Sequence, residues 1–353
     1  MLKKYGIMLI GCGHIGEEHI SNIYYRDNIR IVAVVDNSIQ KARLFAKKYG
    51  AEHYGTNYRE FLNNSLDIVI IATYTDSHYS VLTDCLNAGK HVLCEKPIAC
   101  DIQTGIQFYR AVKGSKSKVL ISHILRHNKT YQKVAQLIQD GVIGNLKLIR
   151  MVQNHHAKNW DRYKRLLNDC SPLVDCGVHY IDVMQWFTQS NVCEVSGFST
   201  KIDEDAPREN FGMLQVKFEN GCVGYYEVSW SPNSASQNMK EFIGEKGRIS
   251  IELVDNRFFD REEGDKISIY HSDTGSYETI NCETKYKDMY KQLSVLIGMI
   301  ENDSVESPTI EDVFSAFYVA IQAEYAINTK QVLNIDPRLF LENSLHDLDI
   351  RAV

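Results

Sequence analysis

The sequence predicts an α/β protein, with a doubly wound parallel sheet in a first domain and a large, mostly antiparallel open sheet in an α+β second domain. Strand-like and helical segments alternate over the first third of the chain, and several strand-like segments then follow one another without helices. At 353 residues the chain exceeds the size at which one core stops growing. We therefore place the domains at residues 1–123 and 124–353, and leave the C-terminal helices free to pack back on the first domain.

Short apolar runs in the first domain predict its strands: Gly6–Ile10, Ile29–Val35, Ile68–Ala72, Val92–Cys94 and Val119–Ser122. A run that is apolar at every position, such as Ile68–Ala72, is typical of a parallel sheet covered on both faces. Helical patterns at Ile39–Tyr49 and Ser77–Ala88 lie between the runs, and Gly89 follows the second as a C-cap. This alternation predicts βαβ units.

The pattern changes after a helical segment at Asn128–Asp140. A long strand is predicted at Leu146–Asn154 and a helix at Asp175–Phe187. Further strands follow: Val192–Thr200, Phe211–Phe218, Val223–Trp230, Lys240–Ile243, Arg248–Leu253 and Ile267–Tyr270. The dipeptide Asn220-Gly221 between two of them indicates a hairpin. Helices at Tyr286–Glu301 and Ile310–Asn328 complete the prediction.

Composition excludes several classes of protein. The net charge of −6 disfavours a nucleic-acid binder, because no excess of Lys and Arg is available to neutralise phosphates. No stretch approaches the roughly 20 apolar residues of a membrane span. The nine cysteines show no CxxC spacing, which favours reduced thiols over a disulfide framework. We therefore expect a cytoplasmic protein that binds neither nucleic acid nor membrane.

A glycine-rich stretch, GCGHIG at residues 11–16, follows the first strand and opens a helix. Gly11 permits the tight turn, Gly13 lets the backbone approach a pyrophosphate, and Gly16 allows close helix–sheet packing. The helix start at His14 and Ile15 offers free N–H groups and a partial positive charge to phosphates. The alternative is a glycine-rich turn without a ligand. The strand–turn–helix context favours a dinucleotide-binding Rossmann domain.

The second strand ends at Asp36, about 20 residues past the glycine loop. A carboxylate there accepts hydrogen bonds from the adenosine ribose hydroxyls and repels a 2′-phosphate. Asn37 and Ser38 are neutral, so no arginine directly follows to bind that phosphate. NAD is therefore the predicted cofactor. NADP is the weaker alternative, since Lys41 and Arg43 lie a little further on.

The sequence CEKP at residues 94–97 follows the fifth predicted strand, at the edge of a parallel sheet where ligands bind. Lys96 could hold a substrate oxygen there or take part in proton transfer. We expect a cis Lys96–Pro97 bond that directs the lysine into the cleft. The alternative is a solvated charged pair, Glu95 and Lys96, at a strand end.

A second cluster of polar side chains lies on the predicted helix that begins at Asp175. Asp175 and His179 stand at i, i+4, and His179 and Asp182 at i, i+3, so each pair can meet on the helix surface. A carboxylate beside an imidazole fixes its tautomer and stabilises the imidazolium, as a general base requires. The alternative is that His179 packs between apolar neighbours and makes one structural hydrogen bond.

These motifs occur in the order found in the Gfo/Idh/MocA oxidoreductases, which the chain resembles over nearly its whole length. The most specific element is Glu-Lys-Pro at residues 95–97 after the sequence AGKHV. The resemblance implies a Rossmann domain plus an α+β domain whose open sheet faces a partner subunit, hence a homodimer or homotetramer. It also implies hydride transfer between nicotinamide and a sugar, a polyol or a related ring alcohol.

The family's functional residues have counterparts here. Lys96 matches its catalytic lysine, and Asp175 and His179 match the aspartate–histidine pair of its inositol-dehydrogenase-like members. His179 would then remove the hydroxyl proton while Lys96 and Asp175 hold the reacting oxygen. Two departures affect the neighbourhood of the cofactor and the substrate pocket: Tyr74 stands where relatives often carry proline, and residues 169–172 replace a glycine-rich stretch.

The predicted contacts extend beyond this catalytic set. The predicted cofactor contacts are Gly11, Gly13, His14, Ile15, Gly16, Asp36, Asn37, Thr73, Tyr74, His78, Glu95 and Lys96. A small polyhydroxylated substrate is expected to contact Arg126, His155 and Trp160 as well as Asp175 and His179. No metal site is expected, because His155 and His156 are adjacent on a strand and point to opposite faces.

Two rival functions remain open on these residues. One is a non-catalytic regulator that senses NAD or sugar, against which the intact Lys96 and His179 argue. The other is an NAD-dependent glycoside hydrolase, which would use much the same residues.

Overall fold

The computed structural model describes residues 3–253, 264–282, 287–336 and 338. Its first sheet consists of β1 (Tyr5–Ile10), β2 (Ile29–Val35), β3 (His53–Gly55), β4 (Ile68–Ile71), β5 (His91–Cys94) and β6 (Val119–Ile121). The strands are parallel and run in the order β3-β2-β1-β4-β5-β6, which is the doubly wound Rossmann order. The helices between them are α1 (His14–Ser21), α2 (Ile39–Tyr49), α3 (His78–Asn87) and α4 (Ile102–Lys113). This confirms the predicted doubly wound sheet.

The second sheet has nine strands. Its members are β7 (Leu146–His156), β8 (Val192–Thr200), β9 (Phe211–Phe218), β10 (Val223–Ser231), β11 (Gln237–Gly244), β12 (Gly247–Glu252), β13 (Asp265–His271), β14 (Ser276–Cys282) and β15 (Leu333–Asn334). They run in the order β14-β13-β12-β11-β7-β10-β9-β8-β15. Among the described strands of this second sheet, only β7 and β10 pair in parallel, so the mostly antiparallel sheet is confirmed.

The hairpin predicted at Asn220-Gly221 joins β9 to β10. Gly221 has a φ of +84°, a left-handed conformation that favours glycine, and the Asn220 side chain accepts a hydrogen bond from the Cys222 N–H. The two strands pair in antiparallel register from Lys217 with Val223 onward. Local turn chemistry therefore sets this register.

Helices α5 (Lys129–Gln139), α6 (Trp160–Asp169) and α7 (Pro172–Thr188) belong to the second part of the chain. Helix α7 begins three residues before its predicted start, because Pro172 occupies the first turn and the Ser171 hydroxyl caps the Val174 N–H. It packs against β7, β9 and β10 on one face of the large sheet. The prediction missed α6, whose sequence is highly charged.

The last two helices, α8 (Met289–Asn302) and α9 (Ile310–Thr329), connect the two sheets. Leu293 and Leu296 of α8 are buried in one apolar cluster with Leu9 and Leu93 of the first sheet. Helix α9 packs against α4 and α7, and the predicted start of α8 at Tyr286 lies outside the described residues. Among the described helices, none is long and apolar enough to cross a membrane.

The contact between α4 and α9 depends on a glycine, Gly105, which has no side chain. A Cβ atom on Gly105 would lie 2.1 Å from the Phe317 ring, and Phe317 is itself buried. Glycine at this position of α4 therefore lets the two helices approach closely. Through this contact α9 fixes α7, which carries Asp175 and His179, relative to the first sheet.

Candidate active site

The glycine loop between β1 and α1 has the geometry that a bound diphosphate needs. Gly11 has a φ of +101°, and a Cβ there would lie 2.3 Å from the Ala72 carbonyl oxygen. A Cβ on Gly16 would lie 1.9 Å from the Gly11 carbonyl oxygen, whereas one on Gly13 would meet nothing within 4 Å. Gly11 and Gly16 are thus required by the fold. Gly13 leaves open space in front of the N-terminus of α1, where a phosphate group would be stabilised.

Asp36 lies directly beside this loop. One carboxylate oxygen accepts a hydrogen bond from the Cys12 N–H at 2.9 Å, and the other accepts one from the Ser38 N–H at 2.8 Å. An ionised carboxylate offers about four acceptor positions, so it can still accept bonds from ribose hydroxyls. Asn37 beside it is exposed. The groups for an adenosine half-site are therefore assembled around the end of β2.

Lys96 follows β5, and the Lys96–Pro97 bond is cis, as predicted. Its ammonium donates hydrogen bonds to a carboxylate oxygen of Asp175 at 3.0 Å and to the Asp175 carbonyl at 2.9 Å. Burial alone would lower the pKa of Lys96, but the negative charges of Asp175 and Glu95 outweigh it and raise that pKa. Lys96 is therefore a cation at neutral pH, and it joins the first sheet to helix α7.

His179 does not form the carboxylate pairs that its helical spacing predicts. Asp175 is paired with Lys96, and Asp182 accepts two hydrogen bonds from Arg126. Among the described residues, the buried Nδ1 of His179 has no hydrogen-bond partner, and its ring stands edge-on to His123 at a centroid distance of 5.5 Å. Burial, and then the charge of Lys96, lower the pKa of His179 well below its usual 6.5. The imidazole is therefore neutral at pH 7.

Arg126, which the sequence predicts to contact substrate, forms a buried ion pair with Asp182. Its two hydrogen bonds to Asp182 are 2.8 Å long, its side chain is 9% exposed, and its guanidinium lies over the Trp186 ring. Burial would raise the pKa of Asp182, but His123 and Arg126 outweigh it and lower that pKa to about 2. This guanidinium forms a buried ion pair with Asp182, and its contact with substrate stays a prediction.

His155 and Trp160 lie at the carboxyl end of β7 and the start of α6. Nδ1 of His155 is 3.2 Å from the Tyr163 hydroxyl; burial lowers the pKa of His155, while the charge of Asp175 acts to raise it. The Trp160 indole N–H donates to the Asp205 carboxylate at 3.0 Å. His155 is therefore near the Lys96–Asp175 pair, whereas the indole N–H of Trp160 is already satisfied by a protein group.

No metal centre is apparent: in the described ranges, no three histidine, cysteine or acidic side chains come together as a possible site. His156 illustrates the reason on β7. Its Nδ1 is 3.1 Å from the Ser234 carbonyl, away from the Tyr163 hydroxyl that His155 contacts.

The residues after β4 divide into exposed and structural positions. Tyr74 is 54% exposed, and the Thr73 hydroxyl accepts a hydrogen bond from Ser77. His78 is 1% exposed, with Nδ1 2.8 Å from the Pro97 carbonyl and Nε2 3.2 Å from the Thr73 carbonyl. Both ring nitrogens face the main chain, so His78 holds two loops together. A contact between His78 and the cofactor stays a prediction.

Sequence reasoning missed His19, which lies in the last turn of α1 and is 1% exposed. Its Nε2 is 2.7 Å from a carboxylate oxygen of Glu95. The only signal in the sequence is a histidine three residues after Gly16, on the helix that opens the glycine loop. Glu95, predicted as a cofactor contact, is 8% exposed and directs its carboxylate into the protein.

Two family models match successive parts of the chain. The model described as the oxidoreductase family with an NAD-binding Rossmann fold matches residues 5–123, and the GFO/IDH/MocA C-terminal domain matches residues 131–250. The chain therefore belongs to the Gfo/Idh/MocA oxidoreductases, as its motifs predicted.

Individual relatives are distant but match over nearly the full length. Myo-inositol 2-dehydrogenase of Thermotoga maritima is 22% identical over 336 residues, which is 94% of this chain and 98% of the relative. The apo scyllo-inositol dehydrogenase of Lactobacillus casei superposes with a TM-score of 0.79 at 20% identity, covering 95% of this chain and 99% of the other. GenD2 from gentamicin A biosynthesis, in complex with NAD, gives 0.80 at 17% identity and covers 95% and 97%. These similarities establish a shared two-part fold.

Proposed function

We propose that this chain is an NAD-dependent dehydrogenase that exchanges hydride between nicotinamide and a ring hydroxyl or carbonyl carbon of a polyol, a sugar or a sugar derivative. The observation that carries the proposal is the Lys96–Asp175 pair with its 3.0 Å contact, placed at the carboxyl edge of the first sheet. His179 lies one helical turn beyond Asp175 on α7. A cation, a carboxylate and a neutral imidazole thus stand where ligands of open α/β sheets bind.

The cofactor proposal rests on the glycine loop and Asp36. Open space in front of Gly13 and the free N–H groups of α1 fit a diphosphate, and the Asp36 carboxylate would repel the 2′-phosphate of NADP. When bound, the nicotinamide ring supplies a reversible two-electron hydride acceptor. A structural neighbour with this fold has been solved in complex with NAD, and the choice of NAD over NADP rests on Asp36 alone.

The protonation states assign a role to each side chain. Lys96 is held as a cation by Asp175 and Glu95, so it acts as a hydrogen-bond donor to the reacting oxygen and not as a base. His179 is neutral and can accept the hydroxyl proton on a ring nitrogen. In the direction of oxidation, His179 takes the proton while Lys96 stabilises the developing negative charge on oxygen. In reduction, the protonated His179 returns that proton.

The substrate class follows from the polar character of the cleft. Asp175 and His155 offer an acceptor and a titratable ring close to Lys96, a surrounding that suits several hydroxyl groups. The relatives named above include myo-inositol 2-dehydrogenase and scyllo-inositol dehydrogenase. Inositols and ring-form sugars are therefore the first substrates to test.

The experiment is a screen for reduction of NAD, with NADP in parallel, over inositols, aldoses, amino sugars and their phosphates. A substrate that supports the proposal is oxidised by the wild-type protein, and Lys96→Ala and His179→Ala abolish that oxidation. His156→Ala is the matched control, because His156 is exposed and its ring nitrogen is hydrogen-bonded to the Ser234 carbonyl. Near-full activity in both catalytic variants would contradict the mechanism.

Glycosides added to the same screen separate the rival functions. Release of aglycone from a glycoside without net NADH accumulation would identify a hydrolase. Tight NAD binding with no turnover of any compound would favour a sensor.

We also propose the division at residues 123 and 124, and self-association through the large sheet. Helices α5, α7 and α9 pack on strands of this sheet, whose residues alternate between buried and more exposed along β9 and β13. A partner subunit would cover the exposed face in a homodimer or homotetramer.

A further inference from the structure

A buried polar pair joins the two segments on which the proposed chemistry depends. His19 lies on α1, the helix whose N-terminus faces the glycine loop, and Glu95 immediately precedes Lys96. The distance from Nε2 of His19 to the Glu95 carboxylate is 2.7 Å, and their side chains are 1% and 11% exposed. The partners are 76 residues apart in the chain, so the contact is purely tertiary.

Glu95 is ionised in this position. Burial alone would raise its pKa, but the hydrogen bond from His19, with the charge of Lys96 and a bond from Ser122, outweighs burial and lowers the pKa to about 2. An ionised carboxylate only accepts hydrogen bonds, so the His19 Nε2 must carry the proton that it donates. The pair is therefore a donor–anion contact, and removing the donor would leave a buried charge with less compensation, from Lys96 and Ser122 alone.

Glu95 and Lys96 are consecutive, which gives the pair a chemical consequence. The Glu95 side chain turns inward to α1, while the Lys96 ammonium reaches 3.0 Å from Asp175 on α7. The inward anchor fixes the backbone from which Lys96 extends. Lys287 is a further positive charge near Lys96 and Glu95. If the Glu95 charge were lost, the repulsion between Lys287 and Lys96 would be offset less.

We propose that His19 and Glu95 form a positioning pair that couples the cofactor-phosphate helix to Lys96 and adds the Glu95 charge to that of Asp175, the carboxylate that contacts the Lys96 ammonium. The inference rests on the proposed function for the role of Lys96 in turnover. It adds that placement of the glycine-loop helix and the charge state of Lys96 are linked through one hydrogen bond. Neither residue touches the reacting atoms; both act through Lys96.

The direct test measures the charge state of Lys96 without any substrate. Competitive acetylation at pH values below the midpoint, read by mass spectrometry, gives the small fraction of Lys96 present as free amine, and the change in this fraction at one pH gives any shift of the midpoint. Lys90 in the same digest serves as an internal reference, since it is bonded to main-chain carbonyls of residues 63 and 66 and lies at the opposite end of β5. We expect Glu95→Gln, which keeps the shape and removes the charge, to lower the Lys96 midpoint by at least about one pH unit.

Two substitutions at His19 distinguish the effect of its hydrogen-bond donor from the effect of its side-chain volume. His19→Gln retains a nitrogen donor, whereas His19→Ala removes it and leaves Glu95 with the Ser122 hydrogen bond and the charge of Lys96. We expect His19→Ala to shift the Lys96 midpoint and to lower kcat by about tenfold or more with KM within about threefold. His19→Gln should recover most of that loss. For every variant, thermal unfolding and NADH binding are both measured by fluorescence.

The outcomes separate this inference from the proposed function. A shifted Lys96 midpoint in a protein that oxidises no substrate leaves the pair established and refutes the proposed reaction. An active enzyme whose Lys96 midpoint is unchanged in both Glu95→Gln and His19→Ala refutes the inference. If Glu95→Gln fails to fold, the comparison of His19→Gln with His19→Ala decides. Equal losses in these two variants would show that the pair serves stability only.

Discussion

Replacing Lys96 with methionine tests the Lys96–Asp175 pair most directly. Methionine keeps most of the length and apolar volume of lysine but removes the ammonium. Two hydrogen bonds disappear, at 3.0 Å to the Asp175 carboxylate and at 2.9 Å to its carbonyl. The reacting oxygen loses its cationic donor at the same time.

The size of each effect follows from the burial of the pair. Loss of one donor to developing oxyanion charge costs about 2.7–4 kcal/mol, so we expect kcat/KM to fall about 10²- to 10³-fold. Breaking a fully buried ion pair costs about 3–5 kcal/mol. Because the Asp175 side chain is 25% exposed, water can solvate it, and we expect a loss of stability of only about 1–2 kcal/mol.

The assay is initial-rate kinetics with the best substrate of the screen, alongside thermal unfolding. Lys90→Met is the matched control, because Lys90 is also buried and donates to the carbonyls of Asn63 and Leu66 at 2.6 and 2.9 Å. It should lose stability without losing the activity of the folded enzyme. The reasoning fails if Lys96→Met stays within about threefold of wild type, or if Lys90→Met loses as much activity per folded molecule.

Further predictions concern the cofactor site, protonation and assembly. Gly13→Ala should leave the melting temperature nearly unchanged and weaken NADH binding at least about tenfold by titration calorimetry, whereas Gly16→Ala should destabilise the fold. Asp36→Ala should move the ratio of NAD to NADP catalytic efficiency toward NADP by at least about tenfold; an unchanged ratio would contradict the role of Asp36. The His179 imidazole should stay neutral in NMR titrations down to below pH 6.5, because burial and the Lys96 charge lower its pKa, and its midpoint should rise in Lys96→Met. A midpoint at or above 6.5 in the wild type would refute this assignment. Sedimentation should show a dimer or tetramer at micromolar concentration, and a monomer would contradict self-association through the large sheet.

Local patterns explain why most of the fold could be predicted. The all-apolar β4 and the strand–turn–helix around residues 11–16 depend on neighbours in sequence, and both appear as predicted. The missed elements lack such patterns. Strand β3 has three residues, two of them exposed, and β14 is exposed along most of its length. Helix α6 carries an apolar side that includes Leu167, but its charged residues obscure the pattern.

Spacing along one element predicts which side chains lie near one another, but it does not predict which tertiary partners they take. Helical spacing places Asp175 and His179 on neighbouring surface positions, but spacing cannot reveal that Lys96, 79 residues away, occupies the carboxylate. The same holds for His19 and Glu95. Which partner a buried polar group takes is decided by tertiary packing, and a single sequence carries no record of that packing.

The leucine contacts of α8 bear on the order in which the chain acquires its structure during synthesis. The face of the first sheet that holds Leu9, Leu93 and Leu120 is covered in the finished protein by Leu293 and Leu296. Helices α1 and α2 cover the β1 and β2 side of this face early, so a nascent chain leaving the ribosome presents the side around β5 and β6 without its α8 cover until nearly 300 residues have been made. A fragment that ends at residue 123 would keep this surface exposed to water, so it should associate or bind a chaperone instead of persisting as a separate nucleotide-binding unit.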